Sequence, residues 1–447
     1  MKLKFKKGLT LNIAGPVDAS AKPLDVDVAS VAVCPDDYPG FIPKVAVKDG
    51  EAVAVGSPLL FDKKHPETKI VSPVTGSVKA IVRGERRKIL RVEVDAGTEA
   101  CVQPHFDKPS DKASAKRFLA ESGLLALMRQ RPYDIVPSPE DTVRDIFVTA
   151  IDSAPLAFPL CDAGDFLFEK EDYDAGIAVL NIVSEGKVYF CHDMSWTLGA
   201  LSGAETIEVE GRHPAGNVSV QIAAIKPVDK GDVVWTLDVL TLGRIGRTLR
   251  TGVFAAETVV AVTGPEVSEP CLLGAVIGAR VAPLLAGRVA DNVHSVRVVS
   301  GNLLTGTAID ASNGYLRYPY RQITVIADGD DVDEFMGWAS LSPSKMSESR
   351  SFPGHFLKRL FVPDARLHGG RRAMIMSGQY ESTLPIDILP EYLIKAILSH
   401  NIEEMEKLGI YEVAPEDFAA AEYVDTSKLP LQQIVRDGLD YLRKELE

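Results

Sequence analysis

The chain has 447 residues, 46% of them hydrophobic and 25% charged, with a formal net charge of −13. That length suggests about three domains with ample packed core, and the acidic balance argues against a nucleic-acid partner, whose phosphates need a basic surface. Five cysteines, Cys34, Cys101, Cys161, Cys191 and Cys271, lie far apart with no Cys-x-x-Cys and no histidine at ligand spacing, so neither an iron–sulfur cluster nor a cysteine-held zinc is expected in this chain.

Lys2 to Lys6 alternates polar and apolar and reads as a half-buried strand, with Lys2, Lys4, Lys6 and Lys7 on a solvated face. Leu9 to Ala14 is too short and too polar for the apolar run of a signal peptide. The most apolar stretch, Cys271 to Gly287, carries Arg280 and falls short of a membrane span. The expectation is a cytosolic chain, or one held at a membrane only through a partner.

Pro35 to Pro43 is a turn-rich loop. Beyond it, Val45 to Val53, Gly56 to Phe61, Ile70 to Val82 and Ile89 to Val94 read as short strands with a turn about every ten residues, a small sandwich or barrel. The phrases Val47-Lys-Asp-Gly-Glu-Ala-Val53 and Ser72-Pro-Val-Thr-Gly-Ser-Val78 resemble biotinyl/lipoyl-type barrel-sandwich hybrids. Domains of that type can carry a cofactor on a hairpin-tip lysine. Lys63 and Lys64 lie between the two halves, but Pro66 spoils a two-residue tip and an ordinary charged loop is preferred.

Asp111 to Arg129 has the periodicity of a helix. Arg131 to Pro139 follows, held extended by Pro132, Pro137 and Pro139 as an exposed ribbon suited to a binding wall or a domain linker. Asp145–Ile151, Lys187–Cys191 and Thr206–Val209 read as strands, Tyr173–Glu185 and Val233–Leu249 as helices, an alternation that predicts an open α/β layer.

The third of these strands runs into Glu210-Gly-Arg-His-Pro-Ala-Gly-Asn217. A strand entering a glycine-rich loop is a place where α/β folds bind phosphates, and Arg212 and His213 could meet an anion there. Yet the loop, with its glycine at Gly216, lacks both the Gly-x-Gly-x-x-Gly and the Gly-x-x-x-x-Gly-Lys-Ser/Thr spacing. A rigid structural turn is the favoured reading.

Thr258 to Pro270 predicts strand, Gly-Pro turn, strand. Leu273–Leu285 then predicts a helix, and Val296–Gly306 a further strand and turn. This order resembles the β-grasp soluble ligand-binding module, closed by a strand at Ile323–Ala327. Pro343–Arg350 is polar and expected to be mobile. Ile386 to Glu447 is helical, with one apolar stripe at Leu389, Leu393, Ile394, Ile397 and Leu398 and another at Leu431, Ile434, Val435, Leu439 and Leu442. The expected fold is α/β in a multidomain α+β arrangement: a barrel-sandwich domain over 1–110, a Rossmann-like α/β domain over 111–255, a β-grasp domain over 256–330, a connecting segment over 331–385 that returns to the α/β layer, and a helical domain over 386–447.

Several phrases, in this order, extend over almost the whole chain. They are Lys6-Lys-Gly-Leu9 with Ile13-Ala-Gly15, Gly211-x-His-Pro-Ala-Gly216, Val262-Thr-Gly-Pro265 and Ser300-Gly-x-Leu-x-x-Gly306. Phe335-x-Gly-Trp338, Arg350-Ser-Phe352 and Tyr380-Glu-x-x-x-Pro-x-Asp387 continue the series. Together they resemble the A-subunit family of sodium-translocating NADH:quinone reductases, related in architecture to the flavin-bearing subunit of complex I. The resemblance implies a peripheral subunit on the cytoplasmic side of a bacterial inner membrane, without a transmembrane segment. It implies docking on membrane-embedded partners, chiefly the neighbouring B-subunit, and a part in quinone reduction. FAD, FMN and iron–sulfur centres are then expected only in partner subunits, and none is expected to be held tightly here. The chain departs from the family pattern at Gln221 and Ala223, where histidines are usual, and at Asp425 after Tyr423-Val424, where a cysteine is usual. No redox or metal role is expected at those positions.

A quinone slot needs apolar walls with a few hydrogen-bond donors. Pro35–Phe41 and Arg131–Pro139 are the expected walls, with Tyr38, Tyr133 and Arg131 as donors beside Phe41 and Pro137. No nucleophile–base pair stands out, so activity is expected of the complex and not of the isolated chain. The alternatives are a purely structural docking subunit and a lysine-borne cofactor carrier.

Overall fold

In the computed structural model of the chain, residues 1–98, 101–289, 295–329, 343, 345, 356 and 360–446 are described. The phrases at Phe335–Trp338 and Arg350–Phe352, and all of Pro343–Arg350 except Pro343 and Lys345, lie outside the described residues.

Two short strands precede the first domain, β1 (Lys2–Lys4) and β2 (Leu24–Asp25). The barrel-sandwich is built from β3 (Ser30–Val33), β4 (Pro43–Val45), β5 (Ala52–Val53), β6 (Pro58–Asp62), β7 (Lys69–Val71), β8 (Gly76–Arg83) and β9 (Ile89–Ala96). They form a four-stranded sheet, β3-β9-β8-β5, and a three-stranded one, β4-β6-β7. Val31, Leu59, Leu60, Val78 and Val92 from the two sheets share one core. Lys63 and Lys64 are exposed in the loop between β6 and β7.

The α/β domain runs α1 (Lys112–Glu121), β10 (Arg129–Arg131), β11 (Asp145–Thr149), α2 (Leu160–Asp165), α3 (Lys170–Val183), β12 (Val188–His192), β13 (Glu205–Glu210), α4 (Val218–Ile225), β14 (Val234–Asp238) and α5 (Val239–Thr251). Its sheet has the order β1-β13-β12-β11-β14-β10, with β11 parallel to both β12 and β14. A strand covered on both faces must be apolar on both, and β11 is: Ile146 and Val148 pack with α3 and α5, while Phe147 packs toward α4. Helices α3 and α5 meet through glycine, because a Cβ on Gly246 would lie 1.6 Å from the Asp172 carbonyl oxygen. The N-terminal strand β1 is an edge of this sheet, parallel to β13, with Lys2 and Lys4 paired on the surface to Glu208 and Glu210.

Three expectations are corrected here. The stretch 233–249 is a strand, Val234–Asp238, followed at once by a helix whose N-cap is Asp238, accepting from the Thr241 N–H at 2.7 Å. Apolar residues on both sides of Asp238 hid that boundary. The predicted helix 111–129 ends at Glu121. The chain then makes a short turn of 3₁₀ helix at Leu125–Leu127 and enters β10, because β14 offers Arg129–Arg131 an open antiparallel edge. The third concerns Arg131–Pro139, which is not an exposed ribbon. Arg131, Pro132, Ile135, Val136 and Pro137 are buried, since other domains close over them.

The β-grasp domain holds β15 (Glu257–Thr263), β16 (Cys271–Val276), α6 (Val281–Leu285), β17 (Val296–Ser300), β18 (Thr307–Ile309) and β19 (Gln322–Ala327). Its sheet order is β18-β17-β19-β15-β16-β2. The helix expected over Leu273–Leu285 is shorter than predicted. Residues up to Val276 pair with β15 as a strand, and only Val281–Leu285 is helical. From residue 360 the connecting segment makes single bridges, Phe361 to Ile13 and Asp364 to Ala327.

The helical region comprises α7 (Tyr380–Thr383), α8 (Pro390–Leu398), α9 (Ile402–Lys407), α10 (Ala419–Val424) and α11 (Leu431–Leu446). The stripe Leu431, Ile434, Val435, Leu439 and Leu442 is buried as its spacing requires. In the other stripe Leu393, Ile394 and Ile397 are buried, whereas Leu389 and Leu398 face solvent.

Candidate functional site

The chain leaves β11 on one side of the sheet to build β12 and β13, then crosses back to build β14 on the other. Between β11 and β14 the outgoing connections diverge, and a crevice must open at the strands' carboxyl ends. A cavity of about 490 Å³ lies there, lined by Thr149 and Asp152 from the end of β11 and Asp238 from the end of β14. Other parts of the chain wall it: Asp36, Asp37 and Pro39 of the N-terminal loop, Arg129, Arg131 and Asp134 of the β10 hairpin, Arg317–Gln322 of the β-grasp, and Glu416 and Gln432 of the helical region.

The walls are held by arginines. Arg317 donates to Asp37 through Nε at 2.7 Å, and Arg321 donates to Asp238 through Nη1 at 2.5 Å. Arg129 donates to the Asp37 carbonyl at 2.8 Å and lies over the Tyr318 ring. Arg131 is 4% exposed. Its Nη2 donates to Glu416 Oε1 at 3.2 Å and its Nη1 lies 3.2 Å from Asp134 Oδ1, but neither Nε nor Nη1 has an aligned hydrogen bond.

These surroundings shift the acids in different directions. Burial raises Asp37, and the nearby Arg317 only partly offsets it. Asp238 is also buried, which alone would raise it, but Arg321 and the Thr241 hydrogen bonds hold it below the usual carboxylate range. Glu416 is pushed up to about 7, first by the surrounding protein, with Arg131 opposing and Asp417 and Asp134 adding to the rise. Its side chain keeps 45% of its surface open, so water tempers that shift.

The glycine-rich loop after β13 is built differently. A Cβ on Gly216 would meet the Ser153 N and Oγ at 2.8 Å and the Ile151 carbonyl at 3.0 Å, so this position admits only glycine without a backbone shift. His213 is buried against Ser153, Nδ1 to Oγ 3.2 Å, with its Nε2 unpartnered. Burial lowers its imidazole to about 4, which keeps it neutral at pH 7. Arg212 is exposed. Beside the N-terminus of α4 stands a carboxylate of this chain: Asn217 Nδ2 donates to Asp417 Oδ1 at 2.9 Å, and a negative charge there opposes a phosphate. The loop is a packed turn, and its His213 and Gly216 share a wall with the cavity.

The two proline segments expected to wall a slot do meet, the Val136 N–H donating to the Pro39 carbonyl at 2.8 Å. Of the five residues expected to contact a quinone, Arg131 alone lines the cavity. Tyr38 is buried behind the wall, stacked on Tyr318 with centroids 5.6 Å apart, and Phe41 packs beside it. Pro137 is buried, and Tyr133 sets its ring edge on Tyr411 at 6.3 Å. Sequence reasoning missed Arg129, Asp238, Arg317, Arg321 and Glu416. The basic-aromatic run Arg317-Tyr-Pro-Tyr-Arg321 was the available signal.

The departing positions have structural partners. Gln221 is fully buried and donates to Thr149 Oγ1 at 3.0 Å, and Asp425 accepts from the Ser427 and Leu429 N–H groups. Among the described residues no three His, Cys, Asp or Glu side chains gather as a metal ion needs, and no helix is long and apolar enough to cross a membrane.

Three family models match successive parts of the chain: the NqrA N-terminal barrel-sandwich hybrid domain over 3–97, the NqrA second alpha/beta domain over 110–254 and the NQRA C-terminal domain over 259–311. Relatives match over the full length. The chain is 36% identical to the A-subunit of the Na(+)-translocating NADH-quinone reductase of Serratia proteamaculans (strain 568), over 99% of this chain and 100% of that one. It is 33% identical to the protein of the same name from Yersinia pseudotuberculosis serotype I (strain IP32953) and 34% to that from Neisseria meningitidis serogroup B, each with the same coverage.

Proposed function

The chain belongs to the family of Na(+)-translocating NADH-quinone reductase A-subunits, and from that premise we propose that its switch-point cavity binds the quinone headgroup at the reducing end of the complex. The chain is one component of a multisubunit oxidoreductase. On our reading it sits peripherally on the cytoplasmic side of the bacterial inner membrane and docks chiefly on the neighbouring B-subunit. Partner subunits carry the FAD, FMN and iron–sulfur centres, this chain holds none of them tightly, and alone it turns nothing over.

The observation that carries the reading is Arg131. A quinone ring offers carbonyl oxygens that accept hydrogen bonds and nothing that donates one. Arg131 is a buried cation on the cavity wall with two nitrogens lacking aligned acceptors. Of the two, Nη1 has only the unaligned Asp134 carboxylate at 3.2 Å and Nε has no acceptor among the described residues; a buried donor without a good partner is costly, and a carbonyl oxygen admitted beside Arg131 would satisfy it. The arrangement also favours the reduced state. As electrons arrive the oxygen gains negative charge, and a fixed, buried guanidinium stabilises that charge more than the neutral carbonyl. Glu416, near neutrality and bonded to Arg131, can hold a proton for the reduced oxygen.

The test is Arg131→Lys in the assembled complex. It keeps the charge and the Glu416 partner but loses the planar fork. Quinone kcat/KM should fall about tenfold to a hundredfold, corresponding to one or two charged hydrogen bonds, while NADH oxidation by an artificial acceptor stays unchanged. Unaltered quinone kinetics would sink the proposal. A second reading, a docking subunit with no ligand, is favoured by the internal pairing of Arg317 with Asp37 and Arg321 with Asp238, which joins domains without help. It expects normal quinone kinetics from Arg131→Lys and loss of assembly when those pairs are broken.

A further inference from the structure

We propose that Arg436, on α11, is a positioning residue that sets the tip of the β10 hairpin so that Arg131 faces the cavity; this rests on the quinone reading above. The hairpin closes tightly, the Gln130 N–H donating to the Ile135 carbonyl at 2.7 Å. Its tip residues Tyr133 and Asp134 have φ of 79° and 53°, consecutive non-glycine residues in the left-handed region. Such a turn persists only where its surroundings over-determine it. Arg436 does so with a fork: Nη2 donates to the Tyr133 carbonyl at 2.7 Å and Nη1 to the Asp134 carbonyl at 3.1 Å. The guanidinium is itself steadied by Asp440, 2.7 Å away and one turn along the helix.

The turn carries the counter-ion of the cavity arginine. Asp134 Oδ1 lies 3.2 Å from Arg131 Nη1, and its Oδ2 lies 3.9 Å from Arg436 Nη1. Asp134 therefore stands between the two guanidinium groups, and displacing the turn displaces it. Gln432, one turn before Arg436 on α11, lines the same cavity. The helix thus contributes one residue to the wall and another that aligns the wall's buried cation. Lysine cannot replace the fork, since one ammonium group cannot hold two carbonyls in a fixed plane.

The experiment measures steady-state kinetics and short-chain quinone binding in the assembled complex for Arg436→Gln, Arg436→Lys, Asp134→Asn and the reference Arg131→Lys. Arg436→Gln should raise the quinone KM and dissociation constant about tenfold with the NADH KM unchanged and kcat within about twofold. Arg436→Lys should recover only part of that, and Asp134→Asn should shift the quinone KM in the same direction. A merely structural role predicts lower thermal stability or yield with an unchanged quinone KM, which overturns the inference. If Arg436→Gln does not assemble, Asp134→Asn decides: an unchanged quinone KM overturns the inference. If Arg131→Lys leaves the quinone kcat/KM unaltered, the quinone reading falls. If it raises the KM while Arg436→Gln and Asp134→Asn do not, only the positioning role falls.

Discussion

The loop after β13 and the crevice between β11 and β14 are strand ends of one sheet, yet they use their polar groups in opposite ways. The loop has the glycines and the histidine that suggest a ligand. In the structure its Gly216 is pressed on Ser153, its His213 is neutral and buried, and the Asn217 side chain at the start of the following helix is bound to Asp417. The crevice follows no glycine-rich motif, yet it encloses about 490 Å³ and gathers arginines and acids from four other parts of the chain. Space for a ligand arises where connections diverge. Glycine in a loop is equally consistent with tight packing.

This contrast predicts that changes at the loop cost stability and spare quinone kinetics, whereas changes at the crevice do the reverse. The largest expected effect is the pH dependence from His213. Its imidazole titrates at about 4 in the fold against 6.5 ordinarily, so between those values the unfolded chain binds a proton that the folded chain refuses. Its contribution is complete above pH 6.5 and is lost as pH falls to about 4, about 3 kcal/mol in all. Glu416, raised to about 7, acts in the opposite sense between about 4.5 and 7, so the readout is the difference between wild type and His213→Gln in denaturant titrations across pH 4 to 7. A difference that does not change with pH would mean that His213 is not buried neutral, and the contrast would break.

Gly216→Ala should come next. The added Cβ collides with backbone and hydroxyl atoms at 2.8 Å, and overpacking of that kind costs about 2 kcal/mol. The check is a lower denaturation midpoint with the quinone KM of the assembled complex changed by no more than about twofold, because Gly216 touches the cavity wall but its added Cβ would press on Ser153 and Ile151. A KM raised as far as by Arg131→Lys would join the loop to the ligand site. The smallest effect on stability belongs to the crevice. Gln432 donates to the Leu304 carbonyl at 3.0 Å on the cavity wall, so Gln432→Ala should cost no more than about 1 kcal/mol while raising the quinone KM a few-fold. A large stability loss with normal kinetics would favour the docking reading.

Much of the fold was legible because it is local. The alternation in 45–94 marks short strands, the apolar runs at 145–151 and 258–263 mark buried ones, and the stripe from Leu431 to Leu442 marks α11. Errors fell where an apolar run carries no period. Val234–Asp238 and Leu273–Val276 read as helix because buried strands and buried helices share composition. Asp238, the N-cap at the join, was the overlooked signal. In the site, the two proline segments touch through the Val136–Pro39 hydrogen bond. Their aromatic residues do not line the cavity: a tyrosine serves equally as wall filler or as ligand contact, and Tyr38 and Tyr133 are both packed on other tyrosines.

By itself the sequence determined the family, through phrases spread from Lys6 to Asp387, and the order of the domains, through periodicities that each segment carries within itself. Tertiary structure alone decided which residues face the cavity. Asp37 meets Arg317 across 280 positions, Arg131 meets Glu416 across 285, and Arg436 reaches the Tyr133 carbonyl across 303. Local patterns cannot encode such pairs. Each depends on where separate domains come to rest, and burial then assigns the charges their partners and their pKa shifts.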